Sequence, residues 1–167
     1  KQGIMFLTMY SCINELKWAG LPTLTQAQLK KLLLEADPDW QHVLAYLSEV
    51  KIFVISNDRR DVIAELCLLQ RGDEAEIINL AVTKEHRGFG LAKSLIKHAI
   101  ENAWQSSVST VLIKTGNSSF DQLALYQKCG FRMSYIERDV FKHYPEPIYE
   151  NGIRCIDQVV LSIELTI

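Results

Sequence analysis

The chain has no apolar run near the roughly 20 residues that a bilayer-spanning helix requires, so no membrane association is expected. It also lacks a basic excess: 18 Lys and Arg stand against 20 Asp and Glu, for a formal charge of −2. Binding along a phosphate backbone needs a basic face, which argues against nucleic acid as a partner. Cysteine is sparse, and Cys12, Cys67, Cys129 and Cys155 form no Cys-x-x-Cys pair. No metal site is expected from that spacing, Cys67 reads as a buried free thiol in an apolar strand, and the chain reads as a reduced, cytoplasmic protein. No internal repeat, low-complexity tract or linker interrupts it. What is present, 167 residues with 48% hydrophobic and 23% charged, suits one domain (1–167) with a sizeable core.

The segment IMFLTMY near the start reads as a first β-strand rather than a signal segment, since seven apolar residues are at the short limit and no small-residue cleavage pattern follows. Residues 1–20 are thus a first strand or an extension. Leu29, Leu32 and Leu33 share one face of a helix over 25–36, which Asp37-Pro38 ends. A second helix is expected over 40–49. Strands follow at 52–56, 62–70 and 75–82, separated by Asn57-Asp58 and Arg71-Gly72-Asp73, the pattern of an antiparallel meander. A central helix over 88–104 carries Leu91, Leu95, Ile96, Ala99 and Ala103 on its apolar face, with His98 on the polar one. A strand at 110–114, a helix at 119–129 and strands at 131–138 and 158–165 complete the reading. A right-handed crossover through the central helix would make the strands on either side of it parallel.

The most informative stretch joins the 75–82 strand to the central helix through Arg87-Gly-Phe-Gly-Leu-Ala92. The first N–H groups of a helix have no partner within it and carry the positive end of its dipole, which makes an anion site. Gly88 and Gly90 allow close backbone approach, and Arg87 adds a charged donor. The spacing fails the dinucleotide fingerprint, because Lys93 stands where its third glycine belongs, and no nucleotide P-loop occurs. What remains is Arg-x-x-Gly-x-Ala after a strand ending Leu-Ala-Val. A second segment runs from Lys114 to Arg132 (KTGNSSFDQLALYQKCGFR), with Ser118 and Asp121 resembling a capping box and Gly130 closing the helix.

Together the two segments resemble the GNAT superfamily of N-acetyltransferases. Arg87, Gly90 and Ala92 fill its coenzyme A motif; Asn117, Tyr126 and Gly130-Phe131 fill the second signature. The resemblance implies a mixed α/β fold, a mostly antiparallel twisted sheet of six to seven strands with one parallel splayed pair and about four flanking helices. It implies acetyl-CoA as co-substrate, with backbone groups of Leu80, Ala81 and Val82 along the pantetheine arm and its thioester. The N–H groups from Arg87 through Gly88, Phe89, Gly90 and Leu91 to Ala92 would lie against the pyrophosphate, and Asn117 against the pantetheine amides.

The implied activity is N-acetylation of a primary amine on a small molecule or peptide, in a ternary complex; a non-catalytic acyl-CoA-binding module is the alternative. Tyr126 occupies the family's position for an acid serving the leaving thiolate, or it anchors the sulfur. A lysine-like amine costs about 4.6 kcal/mol to deprotonate at pH 7, so a base is useful. Glu76 is the candidate, against a plain solvated carboxylate; His86 and His98 are weaker ones. The segment from Phe141 to Arg154, with His143, Tyr144, Glu146, Tyr149 and Glu150, either borders the acceptor or is a surface or dimer-contact loop. A homodimer is expected by analogy alone.

Overall fold

A computed structural model describes residues 12–165, so the IMFLTMY strand expectation lies outside the described residues. By contacts the chain divides into two units, the described part of Lys1–Gln70 with Ile77–Asn102, and Arg71–Glu76 with the described part of Ala103–Ile167.

In the first unit the order is β1 (Ile13–Leu16), α1 (Thr23–Ala36), α2 (Trp40–Leu47), β2 (Val50–Ser56), β3 (Val62–Arg71), β4 (Glu74–Val82) and α3 (Leu91–Gln105). β4 and α3 each run across the division of the chain. β2 pairs antiparallel with β1 and with β3. The leucine stripe of α1 (Leu29, Leu32, Leu33) is wholly buried with Val43, Tyr46 and Leu47 of α2, and with Ile52, Val54, Val62 and Cys67 of the strands. Asp37 is extended ahead of Pro38 and stops α1, as the proline requires. Asp39 then caps α2 by accepting from the Gln41 and His42 N–H groups at 2.9 and 3.3 Å, a device worth about 1 kcal/mol.

The alternate residues of β2 face the other way, and Phe53 meets His98 edge-on with ring centroids 4.7 Å apart. His98 is therefore half-buried against an aromatic ring rather than on the surface as its helix periodicity suggested. The expected apolar face of α3, Leu91 to Ala103, is buried throughout. The helix starts later than the spacing predicts. Gly88 and Gly90 have φ of +82° and +80°, which right-handed helix excludes.

The second unit holds β5 (Thr110–Gly116), α4 (Phe120–Lys128), β6 (Arg132–Glu137), β7 (Tyr149–Glu150), β8 (Ile153–Arg154) and β9 (Gln158–Glu164). β9 lies between β5 and β6 and is antiparallel to both. Gly130, at φ +100°, closes α4: its N–H donates to Gln127 and that of Phe131 to Tyr126, the paired bonds of a Schellman ending. The 141–154 segment contains a small hairpin, β7 to β8, turned by Asn151-Gly152 at φ +53° and +73°. Asn-Gly is the commonest signal of such a turn, and the sequence reading passed over it. Among the described residues, no helix is long and apolar enough to cross a membrane.

Candidate active site

The first unit supplies a glycine turn. After Val82 a short 3-10 turn, Lys84–His86, is pinned by Thr83, whose N–H donates to the Ile63 carbonyl at 2.9 Å and whose hydroxyl meets His86 Nδ1 at 2.7 Å. Gly88 and Gly90 follow with no atom within 4 Å of where either Cβ would stand. The positive φ selects glycine, and the space beside both is open. Ser94 N–H donates to Gly90 C=O at 3.0 Å, so the N–H groups of Leu91, Ala92 and Lys93 precede the helical ladder. An open glycine turn leading into unladdered N–H groups fits a phosphate-bearing ligand.

Arg87 does more than the motif suggested. Its Nε donates to the Val82 carbonyl at 3.0 Å and its guanidinium to Glu35 Oε2 at 2.9 Å. It thus braces the turn against the end of β4 and against α1, leaving its other N–H groups for a ligand. Phe89 is exposed, and Leu80 and Val82 are half-buried. Ala81 is buried, and its N–H donates to the carboxyl of Glu65, a residue the sequence reading did not single out. The available signal was a lone acid inside the apolar run VIAELCLL.

Glu65 is wholly buried, and burial pushes its pKa up to about 8 against the opposing hydrogen bonds from Cys67 and Ala81. Nearby, Asn79 donates to Tyr46 Oη at 2.8 Å and to the Leu33 carbonyl at 3.1 Å. Glu65 Oε1 and Asn79 Oδ1 are buried without a hydrogen-bond partner among the described residues.

The second unit brings together side chains far apart in sequence. Lys114 Nζ stands 3.6 Å from Glu76 Oε1 and 3.2 Å from Glu137 Oε1. Burial raises the pKa of Glu76; Lys114 opposes the rise and Glu137 adds to it. Burial alone would lower Lys114, but the two carboxylates outweigh it and leave it raised. Neither Lys114 nor Glu137 was singled out in the sequence, because nothing local marks them.

Tyr126 is buried on α4, its hydroxyl takes no hydrogen bond among the described residues, and burial with Cys129 pushes its pKa up to about 12. Asn117 ties the end of β5 to the stretch before β9. Its Oδ1 accepts from Ile156 and Asp157 N–H at 2.8 and 3.0 Å, and its Nδ2 donates to the Arg154 carbonyl at 3.1 Å.

One expectation is corrected here. Ser118 caps nothing: α4 begins after Ser119 without a side-chain cap. Both serine hydroxyls instead donate to Glu150 Oε2, at 3.2 and 2.5 Å. A charge-assisted bond to a carboxylate is stronger than a neutral one to a backbone N–H, and this pair holds the β7–β8 hairpin against the start of α4. Glu150 belongs to the segment read as either bordering the acceptor or forming a surface or dimer-contact loop, and one of its oxygens is committed to this clamp. Tyr144, Glu146 and Tyr149 remain exposed.

The Acetyltransferase (GNAT) family model matches residues 15–131. The chain belongs to the GNAT acetyltransferase family. It is 41% identical over 142 residues to the uncharacterized N-acetyltransferase YvbK of Bacillus subtilis (strain 168), covering 84% of this chain and 92% of that protein. A Bacillus subtilis acetyltransferase solved in complex with CoA superposes with a TM-score of 0.83 at 39% identity, over 92% of this chain and 98% of that one. A GNAT acetyltransferase from Elizabethkingia anophelis with acetyl-CoA bound gives 0.83 at 36% identity, over 92% and 97%. The mixed α/β fold expected of a GNAT enzyme is therefore the fold of this one. Arg87, Gly90, Asn117, Tyr126 and Gly130 all fall inside the GNAT match, whereas Glu137 and the β7–β8 hairpin lie beyond it.

Proposed function

We propose that this acetyltransferase moves the acetyl group of acetyl-CoA to a primary amine of a small molecule or peptide, by direct attack with both substrates bound. One observation carries the catalytic reading: Glu76 is a half-buried carboxylate with a raised pKa, which a module that only binds acyl-CoA does not need. The glycine turn and the N–H groups from Arg87 to Ala92 hold the pyrophosphate, the backbone of Leu80, Ala81 and Val82 lies along the arm, and the second N–H of the Asn117 amide serves the pantetheine. Among the described residues no disulfide joins Cys12, Cys67, Cys129 or Cys155, and the setting we assign is the reduced cytoplasm.

Acetyl-CoA supplies an activated carbonyl carbon. The amine nitrogen bonds to that carbon, the C–S bond breaks, and one amine proton goes to Glu76, directly or through water. A carboxylate whose pKa is raised is a stronger base in its ionised form. Tyr126 keeps its proton at neutral pH. Complete transfer to a thiolate of pKa ~8.5 would run uphill by about 5 kcal/mol, so Tyr126 donates a hydrogen bond to the departing sulfur, and solvent completes the protonation.

The test is calorimetric titration with acetyl-CoA, with ATP and NAD as controls, followed by CoA-thiol release across a panel of amines. Tyr126→Phe should lower turnover about 10- to 100-fold, the worth of one hydrogen bond to a charged atom, with acetyl-CoA affinity changed only a few-fold. Full turnover in the variant removes Tyr126 from the chemistry, and preference for ATP over acetyl-CoA overturns the assignment altogether.

A further inference from the structure

Along β4 the faces do not simply alternate. Ile52 of β2 lies opposite Cys67 of β3, and Val54 opposite Glu65. Ile52, Val54 and Cys67 belong to the core beneath α1 and α2, so Glu65, two residues from Cys67, shares that face. From β4, Ile78 and Ala81 pack against the same core. Asn79 reaches it as well, donating to the Leu33 carbonyl and to Tyr46 Oη. Adjacent residues, or residues three apart, cannot share a face in a regular strand, so β4 slips by one residue at positions 79–80.

The residue facing this slip is Glu65. Thr83 N–H donates to the Ile63 carbonyl, which sets Ala81, two residues back, opposite Glu65. The Ala81 N–H meets the Glu65 carboxyl. A side chain stands off the sheet, so an N–H that reaches it leans out of the ladder, here towards α1 and α2. A trans peptide is planar, with its N–H and C=O opposed, and no cis bond occurs among the described residues. The Leu80 carbonyl therefore points away from those helices, in a direction set by Glu65.

We propose that Glu65 is a positioning residue for acetyl-CoA: its carboxyl holds the peptide joining Leu80 to Ala81 in the orientation that the pantetheine arm meets. This role rests on the function proposed above, in which that backbone lies along the arm. Glu65 is wholly buried and touches no ligand itself; it acts through Ala81. Core filling does not account for it. An aliphatic side chain would fill the same space without the cost of burying an acid. That cost is compounded by Glu65 Oε1 and Asn79 Oδ1, both buried without a hydrogen-bond partner among the described residues. Buried polar groups gathered where a strand leaves its register mark a constraint on the backbone.

Calorimetry with two ligands separates this role from a structural one: acetyl-CoA, and the nucleotide half of coenzyme A, which keeps the phosphates and lacks the arm. Glu65→Leu removes the acceptor at similar volume. It should weaken acetyl-CoA binding about tenfold, the worth of one hydrogen bond misplaced, with the nucleotide half bound as before. Glu65→Gln keeps an acceptor for the Ala81 N–H and should restore acetyl-CoA affinity to within about threefold of the wild type. Should Glu65→Leu fail to fold, Glu65→Asp reads the same contrast, because it draws the carboxyl back by one methylene. Equal acetyl-CoA affinity in the wild type and Glu65→Leu overturns the role, as does an equal loss for both ligands or a glutamine variant as weak as the leucine one. A wild type that binds neither ligand is a different result, and overturns the proposed function and this role with it.

Discussion

The glycine turn ahead of α3 and the Glu76–Lys114–Glu137 group both manage charge, and they are made from different parts of the polypeptide. The turn is backbone: two glycines at positive φ, with unladdered N–H groups following within a few residues. The second group is side chain: one ammonium between two carboxylates carried by three different strands. A backbone site is fixed once the local conformation is fixed, and its donors cannot titrate. A side-chain site can be tuned by burial and neighbours, and it depends on strands being in register. This is a reasonable division for an enzyme proposed to hold a permanent anion and also to move a proton.

The comparison can be broken first at the turn. Gly90→Val puts a β-branched residue at φ +80°, a strain of about 1–3 kcal/mol. Acetyl-CoA affinity should therefore fall about 10- to 100-fold, with the acid limb of the pH–rate profile unmoved at saturating acetyl-CoA. Calorimetry reads the affinity; an unchanged dissociation constant would mean the turn does not hold the ligand.

A smaller change sharpens the other half. Lys114 opposes the rise of Glu76, so Lys114→Met should let that pKa climb further and leave less base at neutral pH. Turnover at pH 7 should drop on the order of several-fold and recover as pH rises, while acetyl-CoA affinity holds. A uniform loss at every pH would make Lys114 a structural residue only.

The same contrast explains what the sequence disclosed. The Arg87-x-x-Gly-x-Ala turn and the Gly130 helix end were readable because each is set by neighbours in the chain, whereas Tyr126 was named only through the family resemblance. The apolar face of α3 was readable for the same reason. His98 was misplaced because its partner Phe53 arrives from β2, and Ser118 because its acceptor Glu150 lies 32 residues away. Lys114 and Glu137 gain meaning only from the strand register of β5, β9 and β6. The Asn151-Gly152 turn was local and legible, and went unread among the prolines and aromatics around it.

Glu65 has a consequence for folding itself. An unfolded chain releases that proton near 4.5, whereas the native protein holds it to about 8. Between those values folding takes up a proton, so this residue's contribution to stability is complete below about 4.5, declines steadily above it, and is gone once pH has passed about 8. That is the reverse of a salt-bridged carboxylate, which destabilises a fold when acid protonates it. Glu65→Gln, which keeps an acceptor for the Ala81 N–H, should flatten the decline. Melting temperature against pH decides the matter: parallel curves for the two proteins would mean that Glu65 is ionised in the native state. On this account the rise from acid to just above neutral pH loosens the protein from within, beside the strand its substrate arm is proposed to follow.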